Sequence, residues 1–333
     1  MKKIILITTG YIGSHVVAFE EAYKTVIVDN LSNSNIDTLD IEKIINRPDF
    51  YELDLRDKKS LEKVFKKYSF DVVHFAMKSV ESCEKPLEYF DNNIISIYLL
   101  ELMEKYNVKN IISSSSATVY DMTSKNAPIL KKEIDLSEIN HTTTVNPYTT
   151  KFLFERILID LKFSFRIANL RYFNPIAHES GYIENPENPD NLLPFILKVA
   201  NELDELKVFN DYDTPDGTVR DYIDVVDLID GHVLAYEKLL VLSGFNSVLQ
   251  DINSDDENQA FFESYNLVKG KSVLEMIKTA EKVTKEINFQ YDSRRQDIAN
   301  VYCNPSKAEK DLWIAITSVK DSVRNSWKFV SKK

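Results

Sequence analysis

The first half of the chain alternates short β-branched runs with stretches of helical periodicity, and that alternation leaves few folds open. Strands are predicted at Lys3–Thr8, Thr25–Asp29, Asp49–Glu52, Val72–Phe75, Asn110–Ser114 and Arg166–Arg171. Helices are predicted at Ser14–Ala22, Ile36–Ile45, Lys58–Lys67, Leu87–Tyr106 and Pro147–Leu161. The strands are apolar along their length rather than on alternate positions, so both of their faces are buried. Strands of that kind separated by helices build an α/β fold, a doubly wound parallel sheet with ligands at the carboxyl ends of its strands.

After Asn174 the texture changes. Pro and Asn crowd Asn185–Pro194, which reads as a loop entering a helix at Leu192–Asn201. A strand near Leu206–Phe209, a loop at Asp213–Thr218 and a helix at Val226–Leu240 follow. The acidic Asp251–Glu257 reads as a solvated loop. Helices at Ser272–Thr284, Pro305–Leu312 and Ser318–Phe329 complete a smaller α/β lobe. We therefore expect two domains, residues 1–173 and 174–333, with the segment near 219–240 packing back on the first. A chain of 333 residues, 44% of them hydrophobic, can bury cores of that size.

Charge and cysteine content exclude several classes of function. A net charge of −11 argues against nucleic acid and anionic membrane as main partners. Cys83 and Cys303 are too few and too far apart for a disulfide framework or a zinc site, and the cytoplasm is the default compartment. The five histidines, His15, His74, His141, His178 and His232, show no ligand spacing, so no metal is expected. The apolar start Ile4–Ile7 gives way at once to Thr8-Thr9-Gly10, which fits a first strand better than a signal peptide.

Chemistry gathers between Asn110 and Lys151. A short strand opens into Ser113-Ser114-Ser115-Ser116-Ala117-Thr118-Val119-Tyr120, and Asn146-Pro147-Tyr148-Thr149-Thr150-Lys151 follows. A free tyrosine, with pKa near 10, is a poor base at neutral pH; a neighbouring ammonium favours its phenolate, and a serine hydroxyl passes the proton on. On this stretch alone a second reading stands beside it, in which the serines cap a strand end and Tyr148 packs in a helix. At the amino end, Gly10-Tyr11-Ile12-Gly13-Ser14 sits where backbone N–H groups approach a pyrophosphate. Asp29, ending the second strand, suits a ribose with free hydroxyls and favours NAD over NADP. Asp54, after the third strand, is placed to accept from an adenine amino group.

The motifs GYIGSH, VDNLSNS, PLEYFDNN, SSSATVY, NPY, LRYFNPI, NLLPF, VRDYI, DVVDLIDGHV and SRR occur in the order seen in one family. From about Lys3 to Phe329 the chain resembles the UDP-glucose 4-epimerases, extended short-chain dehydrogenases/reductases with a Rossmann-type domain. The resemblance implies that Tyr148 is the catalytic base and acid on the sugar 4-hydroxyl. Lys151 would lower its pKa and hold the nicotinamide ribose, and Ser116 would bridge hydroxyl and phenol. It implies Gly10, Ile12, Asp29, Asn30, Asn33, Asp54, Lys78, Asn92 and Tyr172 around NAD. It implies Asn174, Asn191, Leu192, Phe209, Arg220, Arg295 and Asp297 around a UDP-sugar. The implied reaction interconverts UDP-galactose and UDP-glucose in galactose metabolism. Related epimerases of UDP-N-acetylhexosamines or UDP-pentoses are the enzymatic alternative, because Asn300, matching the position that sets room for the 2-substituent, is of middling size. A homodimer through the helices at Leu87–Tyr106 and Pro147–Leu161 is also implied. Ser116-Ala117-Thr118, in place of an Asp-Glu pair after Thr, speaks against dehydration.

The departures from the family obey a rule. The chain has 7 glycines, where an average composition is about 7% glycine. Thr8-Thr9-Gly10 is two glycines short of the family's phosphate turn. Tyr148 and Lys151 are three apart where the family spaces them by four with a glycine between. Family glycines are likewise wanting between Ala76 and Met77, Val80 and Glu81, Ile176 and Ala177, Ile183 and Glu184, Phe209 and Asn210, Thr218 and Val219, and Gln296 and Asp297. Random loss does not select one residue type, and a single deletion turns the rest of a helix by about 100°. The expectation is a protein that carries these glycines; the alternative is a chain that truly lacks them and binds NAD without turnover.

Overall fold

The computed structural model describes residues 3–7, 12, 24–31, 49–76, 86–116, 119, 149–172, 174–177, 192–202, 205–209, 219–250, 261–268, 270–292, 300–301 and 303–331. The predicted helices Ser14–Ala22 and Ile36–Ile45 and the loops Asp213–Thr218 and Asp251–Glu257 lie outside them.

The apolar runs of the first half become strands β1 (Lys3–Ile7), β2 (Lys24–Asp29), β3 (Phe50–Glu52), β4 (Val72–Ala76), β5 (Asn110–Ser116) and β6 (Arg166–Tyr172). Helices α1 (Lys58–Lys67), α2 (Pro86–Lys105) and α3 (Thr149–Asp160) lie between them. A short β7 (Asn174–Ile176), α4 (Leu192–Glu202), β8 (Leu206–Phe209), β9 (Val219–Asp224) and α5 (Val225–Gln250) follow. Then come β10 (Phe261–Leu267), β11 (Gly270–Ser272), α6 (Val273–Glu281), β12 (Phe289–Asp292), β13 (Asn300–Val301), α7 (Ser306–Asp311) and α8 (Val319–Val330).

Seven strands form one sheet in the order β10-β6-β5-β4-β1-β2-β3. All six pairings are parallel. The chain leaves β1 toward β2 and β3 and returns to β4 on the other side. A crevice therefore opens at the carboxyl ends of β1 and β4, where a doubly wound sheet holds its ligand.

Side chains alternate between two cores, as the period of a strand requires. Val73, Phe75, Ile111 and Ile167 pack with Leu61 and Phe65 of α1, Leu99 and Met103 of α2, and Phe154 and Leu158 of α3. Val72, Ile112, Ala168 and Leu170 pack on the opposite face with Leu228, Tyr236 and Leu239 of α5 and with Trp313. A third core joins α4, α6 and α8 through Ile196, Leu197, Ile277 and Val323.

Two features differ from the sequence reading. Helix α5 runs to Gln250, past the expected end at Leu240, and lies against β5 and β6. The strand β10, where the sequence reading assigned no element, completes the main sheet by pairing Phe261–Leu267 with Arg166–Tyr172. The main sheet thus takes an edge strand and a covering helix from beyond residue 173. The smaller sheets, β11-β9-β13 with β7 on β9, and β12-β8, stand apart from it.

Candidate active site

The site grows from the carboxyl ends of β5 and β6. Serines fill the last four places of β5, and parallel pairing sets Ser115 opposite Arg171 and Ser116 opposite Tyr172. Ser113, Ser114 and Ser115 are buried; Ser116, at the strand's end, is half-buried. Ser114 Oγ lies 2.8 Å from His74 Nε2 and also bonds the Tyr172 hydroxyl. Burial pushes the Tyr172 phenol up to about 12, so it stays neutral.

Helix α3 brings Lys151 to the same place. Its side chain is 5% exposed, and Nζ lies 5.9 Å from the centre of the Tyr172 ring. Loss of water pulls the lysine down to about 8, and the Glu155 carboxylate opposes that fall. Ser116, Tyr172 and Lys151 are thus gathered at one strand end. Tyr148, Gly10, Asn33, Lys78, Asn191, Arg295 and Asp297 lie outside the described residues. For Asn92 in α2 and Phe209 at the end of β8 the backbone alone is described.

The remaining expected positions are spread along the crevice. Ile12 packs against the α5-side core. Asp29 ends β2, and its carboxylate accepts from the Leu31 N–H at 2.6 Å, closing a turn in which Leu31 has φ 57°. Asn30 is exposed beside it. Asp54 is held by Arg56, whose Nε donates to both carboxylate oxygens at 3.0 Å while Nη1 reaches Asp91 at 3.0 Å. That guanidinium keeps the Asp54 carboxyl below its usual range. In the second lobe Asn174 Nδ2 donates to the Asp221 carbonyl at 3.0 Å, tying β7 to β9. Arg220 follows on β9, half-buried, and Leu192 opens α4 against the third core.

Several buried polar groups were given no site role in the sequence reading. Glu155, fully buried, accepts from Arg171 Nη2 at 2.6 Å and Nε at 3.1 Å and from the Ser115 hydroxyl. Its signal was present as an acid four residues after Lys151, the spacing that sets two side chains on one helix face. Asp221 takes the Cys303 N–H at 2.6 Å, and burial raises its carboxyl to about 7. His74 and His232 lie with ring centroids 4.9 Å apart, and burial keeps both neutral. Among the described residues no group of three His, Cys, Asp or Glu side chains is placed to hold a metal ion, and no helix is long and apolar enough to cross a membrane.

Known proteins are similar to this chain along nearly its whole length. The family model described as NAD dependent epimerase/dehydratase matches residues 5–243. The UDP-glucose 4-epimerase of Bacillus subtilis is 42% identical over 352 aligned positions, covering 98% of this chain and 96% of the relative. That of Yersinia enterocolitica is 44% identical, again over 98% of this chain and 96% of its own length. The crystal structure of UDP-glucose 4-epimerase from Bifidobacterium longum in complex with NAD+ and UDP superposes with a TM-score of 0.78 at 40% identity, covering 99% of this chain and 98% of that one.

Proposed function

We propose that this chain, which belongs to the NAD dependent epimerase/dehydratase family, interconverts UDP-galactose and UDP-glucose with NAD as a resident cofactor. The observation that carries this reading is the meeting of Ser116, Tyr172 and a buried Lys151 at the carboxyl ends of β5 and β6. Relatives more than 40% identical over nearly their full length support it.

The residues present fit a dinucleotide. The crevice between β1 and β4 is where a doubly wound sheet takes one, and the Asp29 carboxylate stands at the end of the next strand, as ribose recognition requires. When bound, NAD supplies the acceptor for the C4 hydride and gives it back, so the chemistry is redox-neutral. The protein's part is proton handling and binding. Tyr148 takes the proton of the sugar 4-hydroxyl and later returns it, through Ser116. The Lys151 ammonium lowers the energy of the phenolate that acts as this base, and so lets Tyr148 stand deprotonated before it takes the proton. Arg220 and Arg295 would meet the diphosphate, whose two negative charges an acidic protein must hold with placed cations. Asn174, Asn191, Leu192, Phe209 and Asp297 would frame the nucleotide and sugar. Gly10, Ile12, Asn30, Asn33, Asp54, Lys78 and Asn92 would line the cofactor.

The oligomer and compartment belong to the same reading: a homodimer in the cytoplasm, of two domains, 1–173 and 174–333. Ile94 and Ile97 of α2 are each 46% exposed, and Leu153 of the adjacent α3 is 37% exposed, apolar surface that suits a partner copy.

The test is a coupled assay for UDP-glucose formed from UDP-galactose. Turnover by the purified holoenzyme is expected, with loss of at least a thousandfold in Tyr148→Phe while NAD stays bound. Full activity in that variant would overturn the mechanism.

A further inference from the structure

The proposed chemistry uses Lys151 but leaves the charges buried around it without a part. Lys151 and Glu155 are one turn apart on α3, so they share a helix face, and both are buried. Arg171, on β6, is 2% exposed and grips the same carboxylate through two donors. Ser115, opposite Arg171 in the sheet, donates its hydroxyl to Glu155 as well. The group therefore carries two cations and one anion with almost no water. A pair serving stability alone would be complete with Arg171 and Glu155. The third charge is Lys151, whose ammonium burial tends to discharge.

We propose that Glu155 is a positioning residue that keeps Lys151 charged and in place at the active site, and that Arg171 sets the strength of that hold by competing for the same carboxylate. This rests on the reading of Lys151 given above. The leftover positive charge is what an anion formed beside it, the phenolate of Tyr148, would balance.

No other described group on the packed elements competes. Strand β5 offers no ionisable side chain, and β6 adds Tyr172, kept neutral by burial, and Arg166, five residues before Arg171 at the strand's amino end and bonded to Asn110. His74 of β4 and His232 of α5 are also held neutral. On α2, Asp91, Glu101 and Lys105 are engaged with Arg56, Lys58 and Glu62, on the far side from α3. On α3 itself, Arg156 and Asp160 lie outside the buried face.

The experiment is the pH dependence of kcat/KM for the NAD-loaded enzyme, wild type against Glu155→Gln and Arg171→Gln, with circular dichroism and thermal unfolding as checks on folding. A neighbouring buried charge moves a pKa by about 1–2 units. The alkaline limb should shift down by about that amount in Glu155→Gln, lowering kcat/KM roughly ten- to a hundredfold above the limb, and shift up in Arg171→Gln. Opposite shifts are the signature, since a purely structural tie would move neither limb. If a single variant fails to fold, Glu155→Gln/Arg171→Gln replaces the pair with two hydrogen-bonding amides and should show the lowered limb. A folded, active variant or double variant with an unmoved limb, or single variants shifting the same way, overturns the proposal. Absence of turnover in the wild type would instead overturn the epimerase reading on which it stands.

Discussion

Asp221 is a carboxylic acid with almost no water around it. It is 2% exposed, it accepts from the Cys303 N–H, and burial raises its carboxyl to about 7. The unfolded chain ionises such a group near pH 4, so the folded state binds the extra proton between about 4 and 7. Its stabilising contribution is complete below pH 4 and is lost as pH rises through 7. Asp221→Asn keeps the acceptor and removes the charge; it should raise stability at pH 8 by on the order of 2 kcal/mol, read from thermal unfolding at pH 5 and pH 8. The two buried histidines act with the opposite sign: held neutral, they stabilise above about pH 6.5 and lose that effect as pH falls toward 4. In the Asp221→Asn background that acid loss should stand alone. None of this was legible in the sequence. RDYI and DGHV mark these positions, but only the sheet shows that water is excluded. Asp54 shows a related case: two residues on stands Arg56, whose guanidinium donates to both oxygens of the carboxylate expected to accept from adenine, a pairing the sequence did not announce.

Elements were read well where both faces are apolar and poorly where polar residues are buried by pairing. The strands β1 to β6 and helix α1 follow from unbroken or regularly spaced apolar residues. Strand β10 does not, because Glu263, Ser264 and Asn266 interrupt it. Those side chains find partners that only the fold supplies: Lys307 for Glu263, Asn169 for Ser264, and the Asn304 carbonyl for Asn266. The extension of α5 was hidden for another reason. Ser243 and Gly244 are weak helix formers, yet Ser243 bonds the Leu239 carbonyl and Asn110 Oδ1. Helix α5 meets β10 at Gly231, where an added Cβ would sit 3.0 Å from Leu267 Cδ1 and 3.6 Å from Trp313. Gly231→Ala should change stability little, since a helix-propensity gain of about 1 kcal/mol offsets the crowding. Gly231→Val should cost about 1–3 kcal/mol, measured by denaturant unfolding.

At the scale of the whole molecule, the shortage of glycine meets a structural counterpart. Ala177, beside one of the positions where a family glycine is wanting, has φ 68°, and it is 7% exposed. The backbone leaving β7 adopts a conformation that costs an alanine about 1–2 kcal/mol and a glycine nothing comparable. Mass spectrometry of the denatured protein should give a value above 38.5 kDa, by a whole number of glycine residues, roughly a dozen. A mass equal to 38.5 kDa would show that the chain truly lacks them, and would favour the alternative that binds NAD without turnover. Sedimentation of the intact protein should report twice the chain mass, and Ile94→Lys/Ile97→Lys should return it to that of a monomer.

The edge strand β10 also carries a consequence for synthesis. Strand β6 is finished when Tyr172 leaves the ribosome, but its outer neighbour ends only at Leu267. At roughly 5–20 residues per second, about 5–20 s separate the two. Through that interval the nascent chain presents β6 as an open edge, a row of unpaired amides and carbonyls able to template the wrong strand. The second half of the polypeptide is therefore also the guardian of the first. A slow stretch of translation between these points would lengthen the time during which neighbouring nascent chains can pair with one another.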